Sequence, residues 1–207
     1  EAGVKFDAHY NHTTVDPPEL VAFIRKNYPD VITDRPRYTM WQLIVKKSRP
    51  PTRKTRYCCA ELKEAKGKGR IVITGVRWAE SLKRKNSRAV AEIVGKTKAK
   101  TMLLNDNEES RRLFESCTLK GKRVINPIID WQDADVWEYL NGRGIEHCCL
   151  YDVGFKRLGC IGCPLTGGPH MELDFKRWPK YKEGYIRAFD RMLAEKIAAA
   201  GTAVKED

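Results

Sequence analysis

Short apolar runs alternate with stretches of helical spacing along the chain. Val4 to Tyr10 alternates loosely and predicts a buried strand, followed by a polar loop that ends in Pro17-Pro18. Asp16 reads as the N-cap of a helix over 18–28, with Leu20, Phe23, Ile24 and Asn27 on one face. A short strand is expected at Val31-Ile32. A helix from Thr39 to Lys47 follows, with Met40, Leu43 and Ile44 inward, and a Pro-rich loop at 49–53 closes it. A further helix over 57–64 places Cys58 and Cys59 in its first turn. Arg70 to Val76 is apolar, β-branched and glycine-ended, the pattern of a strand buried on both faces in a parallel sheet. Residues 78–85 read as a short helix or loop, and the charged stretch 86–110 as a mobile loop or small insertion. Residues 124–129 are extended. A helix over 131–140, capped near Gln132 or Asp133, carries Val136, Trp137 and Leu140 on its apolar face and stops at Gly144. Residues 145–170 are loop-rich. Residues 171–199 are helical with a break at Pro179, and 201–207 form a polar tail expected to be disordered. The alternation predicts an α/β fold, a twisted parallel sheet flanked by helices, with a helical C-terminal segment. No internal repeat and no clear second domain is visible.

Composition narrows the function classes. The 207 residues suffice for one domain with a real core, and 42% apolar content is globular. No apolar run reaches the roughly 20 residues that span a membrane, and no signal peptide is visible. Glu1-Ala2-Gly3 reads as a helix end and glycine cap before the first strand, so a preceding N-terminal piece is expected. Seven cysteines without a secretory signal point to a reducing, cytoplasmic setting and to metal or catalysis over structural disulfides. The net charge is +12, with excess at 66–70, 83–88, 96–100 and 120–123. Such clusters suit a polyanionic partner, nucleic acid or a phosphate-rich small molecule, or else form a solvated basic surface.

The chemistry centres on Gly159-Cys160-Ile161-Gly162-Cys163-Pro164. Small residues and a closing proline make a tight turn that brings two thiols to one point. Alone this is a zinc half-site, a redox dithiol or a disulfide. The second pair, Cys58-Cys59, is awkward for one tetrahedral zinc because adjacent side chains diverge, and it suits an object with several metal corners. An iron–sulfur cluster, a zinc site and disulfides all stay open at this point. Arg77 follows the strand-ending Gly75, so it projects from the carboxyl edge of the sheet. There its guanidinium can grip sulfate or phosphate with two hydrogen bonds. Lys63, one turn beyond the cysteine pair, can add charge to the same anion, with Arg53 and Arg56 as weaker contributors. Glu80 and Ser81 are expected to orient Arg77 and cap the next helix. Asp130 and Asp135 read as caps, Trp131 and Trp137 as core, and Cys117, Cys148 and Cys149 as thiols outside the main pairs.

Three segments together resemble the phosphoadenosine-phosphosulfate and adenylyl-sulfate reductase family. Arg56-Tyr57-Cys58-Cys59 with Lys63 is similar to its R-W/Y-C-C-x-x-x-K, and Gly75-Val76-Arg77-Trp78-Ala79-Glu80-Ser81 to its G-x-R-x-x-E-S. Pro127 to Trp137, Leu150 to Phe155 and Gly159 to Cys163 resemble P-I-x-D-W-x-x-x-D-V-W, L-Y-D-x-G-Y/F and G-C-x-x-C. The resemblance implies a nucleotide α-hydrolase-like domain over 1–170, a helical extension over 171–200 and an adenine nucleotide, ATP or a sulfonucleotide, at the carboxyl ends of the strands. It implies a 4Fe–4S cluster on Cys58, Cys59, Cys160 and Cys163. It places His12, Thr13 and Asp16 on a nucleotide-facing loop, and Arg77, Lys63, Glu80 and Ser81 at the anion. A thiol donor protein would be the redox partner.

Two departures from the family pattern shape the expected reaction. The S-G-G-K-D-S phosphate loop is absent, and its place would be just before Glu1. The family's catalytic cysteine in an E-C-G-L/I-H tail has no counterpart in 199–207. The expectations are therefore sulfonucleotide reduction on the one hand and ATP-dependent sulfur transfer to DNA or tRNA on the other. A cluster-bearing nucleic-acid-binding module is the non-enzymatic alternative.

Overall fold

A computed structural model describes residues 3–64, 67, 69–94, 100–103 and 122–203. The chain divides into two compact units, Glu1–Ala65 with His147–Asp207, and Lys66–Glu146. It is a mixed α/β protein with a long C-terminal helix.

The first unit starts with a small parallel sheet. Strand β1 (His9–Asn11) pairs with β2 (Ile32–Asp34) in the register His9 to Ile32 and Asn11 to Asp34. Helix α1 (Pro18–Asn27) connects them. The strand expected from Val4 starts only at His9. Val4 is 67% exposed and Phe6 77%, so the loose alternation there faces no core. Asp16 does not cap α1 either. Pro17 holds the N-cap position without a side-chain bond, and the Asp16 carboxylate instead accepts the Thr13 N–H at 2.6 Å.

Helix α2 (Met40–Lys47) forms where the pattern predicts. Thr39 and Gln42 exchange the two bonds of a capping box, and Met40, Leu43 and Ile44 are buried. Helix α3 (Tyr57–Cys59) opens the next segment and widens into a π-helical turn over Ala60–Glu64. Helix α6 (Gly168–Arg177) and helix α7 (Pro179–Ala203) complete the unit, separated at Pro179 as expected. Both pack into it. Trp41 on α2 meets Tyr185 on α7 edge-on, with ring centroids 4.7 Å apart, and its indole covers Gly184 closely enough that a Cβ would come within 2.9 Å. The main core comprises Val15, the inward face of α2, Cys58 and Leu62, with Tyr185, Ala188 and Met192 of α7. A second core gathers Cys148, Leu150, Ile161 and Trp178. Cys148 is thus a buried small hydrophobe, whereas Cys149 is exposed.

The second unit is built on a four-stranded sheet of order β3-β6-β4-β5. Its strands are β3 (Ile71–Ile73), β4 (Ala91–Val94), β5 (Lys100–Leu103) and β6 (Lys122–Ile125). Only β3 and β6 run parallel; β4 is antiparallel to both β6 and β5. The all-parallel expectation is corrected on this point. So is the prediction that β3 is buried on both faces: it is an edge strand, with Ile71 48% and Ile73 61% exposed. The stretch 86–110, expected as a loop, supplies β4 and β5 in its described part. The one charged residue of β4, Glu92, is 1% exposed and held by Arg88 Nε at 2.7 Å, the Ala89 N–H and Asn126 Nδ2. A single-turn 3₁₀ helix (Trp78–Glu80), helix α4 (Leu82–Ser87) and helix α5 (Asp133–Gly142) belong to the same unit. Of the two cap positions read from the sequence, Gln132 is the N-cap of α5, its N–H donated to Asp135, and Gly144 takes a positive φ of 60° beyond the helix end. Cys117, parts of the basic clusters and most of the tail lie outside the described residues, although α7 extends to Ala203.

Candidate functional site

In the first unit, side chains of the two cysteine motifs share one core. Cys58 is buried, and Cys59 and Cys160 pack against the same cluster. The Tyr185 phenol is raised first by burial, then by the charges of Cys160, Cys58 and Cys163, so three of the four predicted thiols act on one ring. All six cysteines among the described residues are free. Among those residues, no group of three or more His, Cys, Asp or Glu side chains is placed to hold a metal ion.

Cations stabilise charge on these sulfurs. Cys59 is pulled down to about 5, first by the hydrogen bond from Cys58 and then by the Arg56 guanidinium, whose Nη2 donates to Cys59 Sγ at 3.4 Å. Cys58 is pushed up, by that same bond to Cys59 and by burial. The adjacent pair thus divides one proton unequally, with the thiolate on Cys59. Burial raises Cys160, while Lys63 and Thr13 oppose it. For Lys63 burial acts downward, but hydrogen bonding and charge from Cys160, with Asp16 and Cys59, leave the ammonium raised. Lys63 is exposed as a residue, yet its head group serves the sulfurs.

The predicted nucleotide-facing loop lies beside the Cys160 turn. Thr13 is fully buried, and its Oγ1 lies 3.5 Å from Cys160 Sγ. The Ile161 N–H donates to the Val15 carbonyl at 2.8 Å, and the Tyr181 hydroxyl to the Asp16 carbonyl at 3.1 Å. Thr13, Asp16, Lys63, Cys59 and Cys160 are therefore neighbours. His12 is half-buried, its ring edge-on to that of Tyr10 with centroids 6.1 Å apart. Arg53 is turned to the Leu165 carbonyl at 3.2 Å.

Arg77 belongs to the second unit. Thr74 and Trp78 anchor its segment from either side. Thr74 N–H bonds the Ile125 carbonyl and Trp78 N–H the Ile129 carbonyl, while Trp78 Nε1 donates to the Arg88 carbonyl. The Arg77 guanidinium donates to Asp133 Oδ1 at 2.7 Å and to the Trp131 carbonyl at 3.4 Å. Glu80 accepts the Arg77 N–H and pairs with Arg84, and Ser81 caps α4 by accepting the Arg84 N–H. Ser81 caps the next helix as expected and Glu80 holds the Arg77 backbone, whereas the guanidinium is held by Asp133, a partner that the sequence did not disclose.

Sequence reasoning also missed the part of Arg56 at the sulfur. Its position three residues before Cys59 on a helical turn is the signal that could have found it. Tyr185 and Asp174, which touch the Cys160 turn from 12 to 24 positions away, carry no local signal.

Cations beside a cysteine favour its thiolate, the form that acts as nucleophile or metal ligand. The chain belongs to the phosphoadenosine phosphosulfate reductase domain family, whose model matches residues 10–166. It is 23% identical over 163 residues to the adenosine 5'-phosphosulfate reductase of Geobacillus kaustophilus, covering 77% of this chain and 61% of that protein. An uncharacterized 37.8 kDa protein of Escherichia phage 186 is 27% identical over 149 residues, 72% of this chain and 41% of its own length. An uncharacterized protein of Methanocaldococcus jannaschii is 45% identical over 67 residues, 32% of this chain and 15% of its own. The chain spans less than two thirds of the length of these relatives. The crystal structure of the Candida auris phosphoadenylyl-sulfate reductase in its phosphate complex shares 16% identity over 74% of this chain and 68% of that one, with a TM-score of 0.44. No helix among the described residues is long and apolar enough to cross a membrane.

Proposed function

We propose that this chain is a cytoplasmic enzyme of sulfur metabolism or sulfur transfer that binds an adenine nucleotide and carries a 4Fe–4S cluster on Cys58, Cys59, Cys160 and Cys163. The observation that carries the reading is the shared core of Cys58, Cys59 and Cys160, with Arg56 and Lys63 at the sulfurs. The donor set fits the group. A cube takes four thiolates at separate corners, spread over about 7 Å rather than around one ion. Cations that favour thiolate over thiol are what such ligands need. When bound, the cluster would supply a redox-active or sulfur-activating centre.

The chain's own residues have separable tasks. Arg56 and Lys63 hold negative charge on the sulfurs. Thr13 and Asp16 fix the loop beside Cys160 on which the nucleotide would lie. Within the second unit, Arg77 would offer its guanidinium, now held by Asp133, to a phosphate or sulfate oxygen, with Glu80 fixing its backbone and Ser81 the helix behind it. Arg77→Ala should weaken ATP or sulfonucleotide binding by about 1.5–3 kcal/mol, the value of charge-assisted hydrogen bonds, as read by calorimetry. Unchanged affinity in a folded variant contradicts the assignment.

Cys59 offers a pH-dependent check. In metal-free protein its thiolate should persist down to about pH 5, so alkylation by iodoacetamide should fall only below that point. An ordinary thiol loses reactivity below roughly pH 8.5. Peptide mass spectrometry reads the midpoint, and a value near the ordinary one contradicts the hydrogen bonds that Cys58 and Arg56 make to Cys59.

The net charge of +12 favours a second reading within the same site chemistry, ATP-dependent sulfur transfer to DNA or tRNA. Anaerobic protein incubated with ATP, adenylyl sulfate or its 3'-phosphorylated form, with thiol reductant, separates the two. The expected outcome is ATP consumption that depends on a nucleic acid or another acceptor, with pyrophosphate and no sulfite. Sulfite released from a sulfonucleotide, with a thiol donor protein as reductant, would establish reduction instead.

A further inference from the structure

Helices α6 and α7 follow the stretch matched by the family model, which ends at residue 166. Both nevertheless reach back to the Cys160–Cys163 turn. Asp174 on α6 is 4% exposed, and its Oδ2 accepts the Gly162 N–H at 3.0 Å. Tyr185 on α7 is 5% exposed and donates its hydroxyl to the Ile161 carbonyl at 3.0 Å. The rings of Phe175 and Tyr185 lie over Gly162, whose φ is +68°, so closely that a Cβ would come within 2.7 Å and 2.9 Å of them.

These contacts fall on the two residues between the cysteines. Ile161 N–H is already taken by Val15. Ile161 O and Gly162 N–H are buried in the same place and need partners, because a buried unpaired backbone group is costly. Two side chains far along the chain supply them. A carboxylate buried in an apolar setting is itself costly, and here it accepts from the turn, with His170 3.6 Å from its other oxygen. Tyr185 also joins the core that contains Cys58 and lies against Cys59 and Cys160, so one ring braces the turn and touches the cluster of both motifs.

We infer that Asp174 and Tyr185 are positioning residues for the Cys160–Cys163 pair, fixing the turn in the shape that presents both thiols to one metal group. The inference rests on the reading of these cysteines as cluster ligands. Outer partners of this kind orient ligands without touching the metal, and their loss weakens retention by about 10–100-fold.

The test uses the full chain, purified without oxygen. Tyr185→Phe removes one oxygen and keeps the ring. Asp174→Ala removes the acceptor, and Asp174→Asn restores an acceptor oxygen without charge. The measurements are the rate at which a chelator bleaches the visible absorbance and the electron paramagnetic resonance spectrum of reduced protein, with circular dichroism to confirm the fold. Tyr185→Phe and Asp174→Ala should lose the cluster roughly tenfold faster or more, with a shifted resonance, and Asp174→Asn should recover most of the difference. Iron-loaded wild type beside variants of unaltered rate and spectrum overturns the positioning role alone. Wild type that binds no iron overturns the cluster reading and this inference together. Should Asp174→Ala misfold, Tyr185→Phe decides the matter, since it leaves the packing in place.

Discussion

Replacing Cys160 by serine should bleach the anaerobically purified protein. Cys160 occupies the centre of the proposed ligand set: it packs against the core that holds Cys58, bonds to Thr13 and is served by the Lys63 ammonium. A serine hydroxyl is a hard, weakly acidic group that does not replace a thiolate on iron. Loss of one of four ligands leaves the remaining corner open to water and oxygen. The visible absorbance of the variant should fall to near the protein baseline, and its iron content should drop several-fold. Cys149→Ser is the control: Cys149 is exposed and outside the ligand set, so its colour should match wild type. Equal colour in wild type and Cys160→Ser would remove Cys160 from the ligands.

The second large effect is expected at Gly162. Its φ of +68° is one that a side chain adopts only with strain, about 1–2 kcal/mol. An added methyl would also meet Phe175 at 2.7 Å and Tyr185 at 2.9 Å. Both rings are wedged among other aromatics: Phe175 stacks edge-on with Tyr185 at 5.7 Å, and Tyr185 lies 4.7 Å from Trp41. They have little room to withdraw, and overpacking of this kind costs about 1–3 kcal/mol. Gly162→Ala should therefore lose roughly 2–5 kcal/mol of stability in chemical denaturation, out of a total of about 5–15 kcal/mol for a typical domain. A loss below about 1 kcal/mol would mean that the turn adapts and that its packing against α6 and α7 is loose.

What the sequence disclosed follows from how local each signal is. Helix α2 was legible because its starting Thr39 and its inward Met40, Leu43 and Ile44 are read within nine consecutive positions. The break between α6 and α7 was legible because Pro179 marks it. Strand β4 was not, because its central Glu92 looks like a surface residue. It is buried through Arg88, four residues away, and Asn126, 34 residues away. The mixed direction of the sheet was hidden for the same reason, since β4 and β5 were not recognised as strands and the apolar run of β3 carries no sign of the edge position it takes.

The candidate site divides along the same line. The cysteine motifs, Thr13, Asp16 and Lys63 were visible as residue types at telling spacings, and they lie together in the first unit. Asp16 was placed on the loop with Thr13 by the family resemblance, and its other expected role, at the start of α1, is corrected. Expected to cap α1, it closes the loop onto Thr13 because Pro17 and Pro18 leave the helix start with little need of a cap. Arg77 was found by its position after β3, but Asp133, 56 residues on, holds its guanidinium. Asp174 and Tyr185 act on the turn through tertiary contacts, which no periodicity records.

The most direct test of the account is the iron and acid-labile sulfide content of the anaerobically purified protein, with its Mössbauer spectrum. The account predicts roughly four iron and four sulfide per chain and the spectrum of a 4Fe–4S cluster held by four thiolates. Protein that contains zinc in place of iron, or neither metal with all four cysteines free to alkylation, would contradict it.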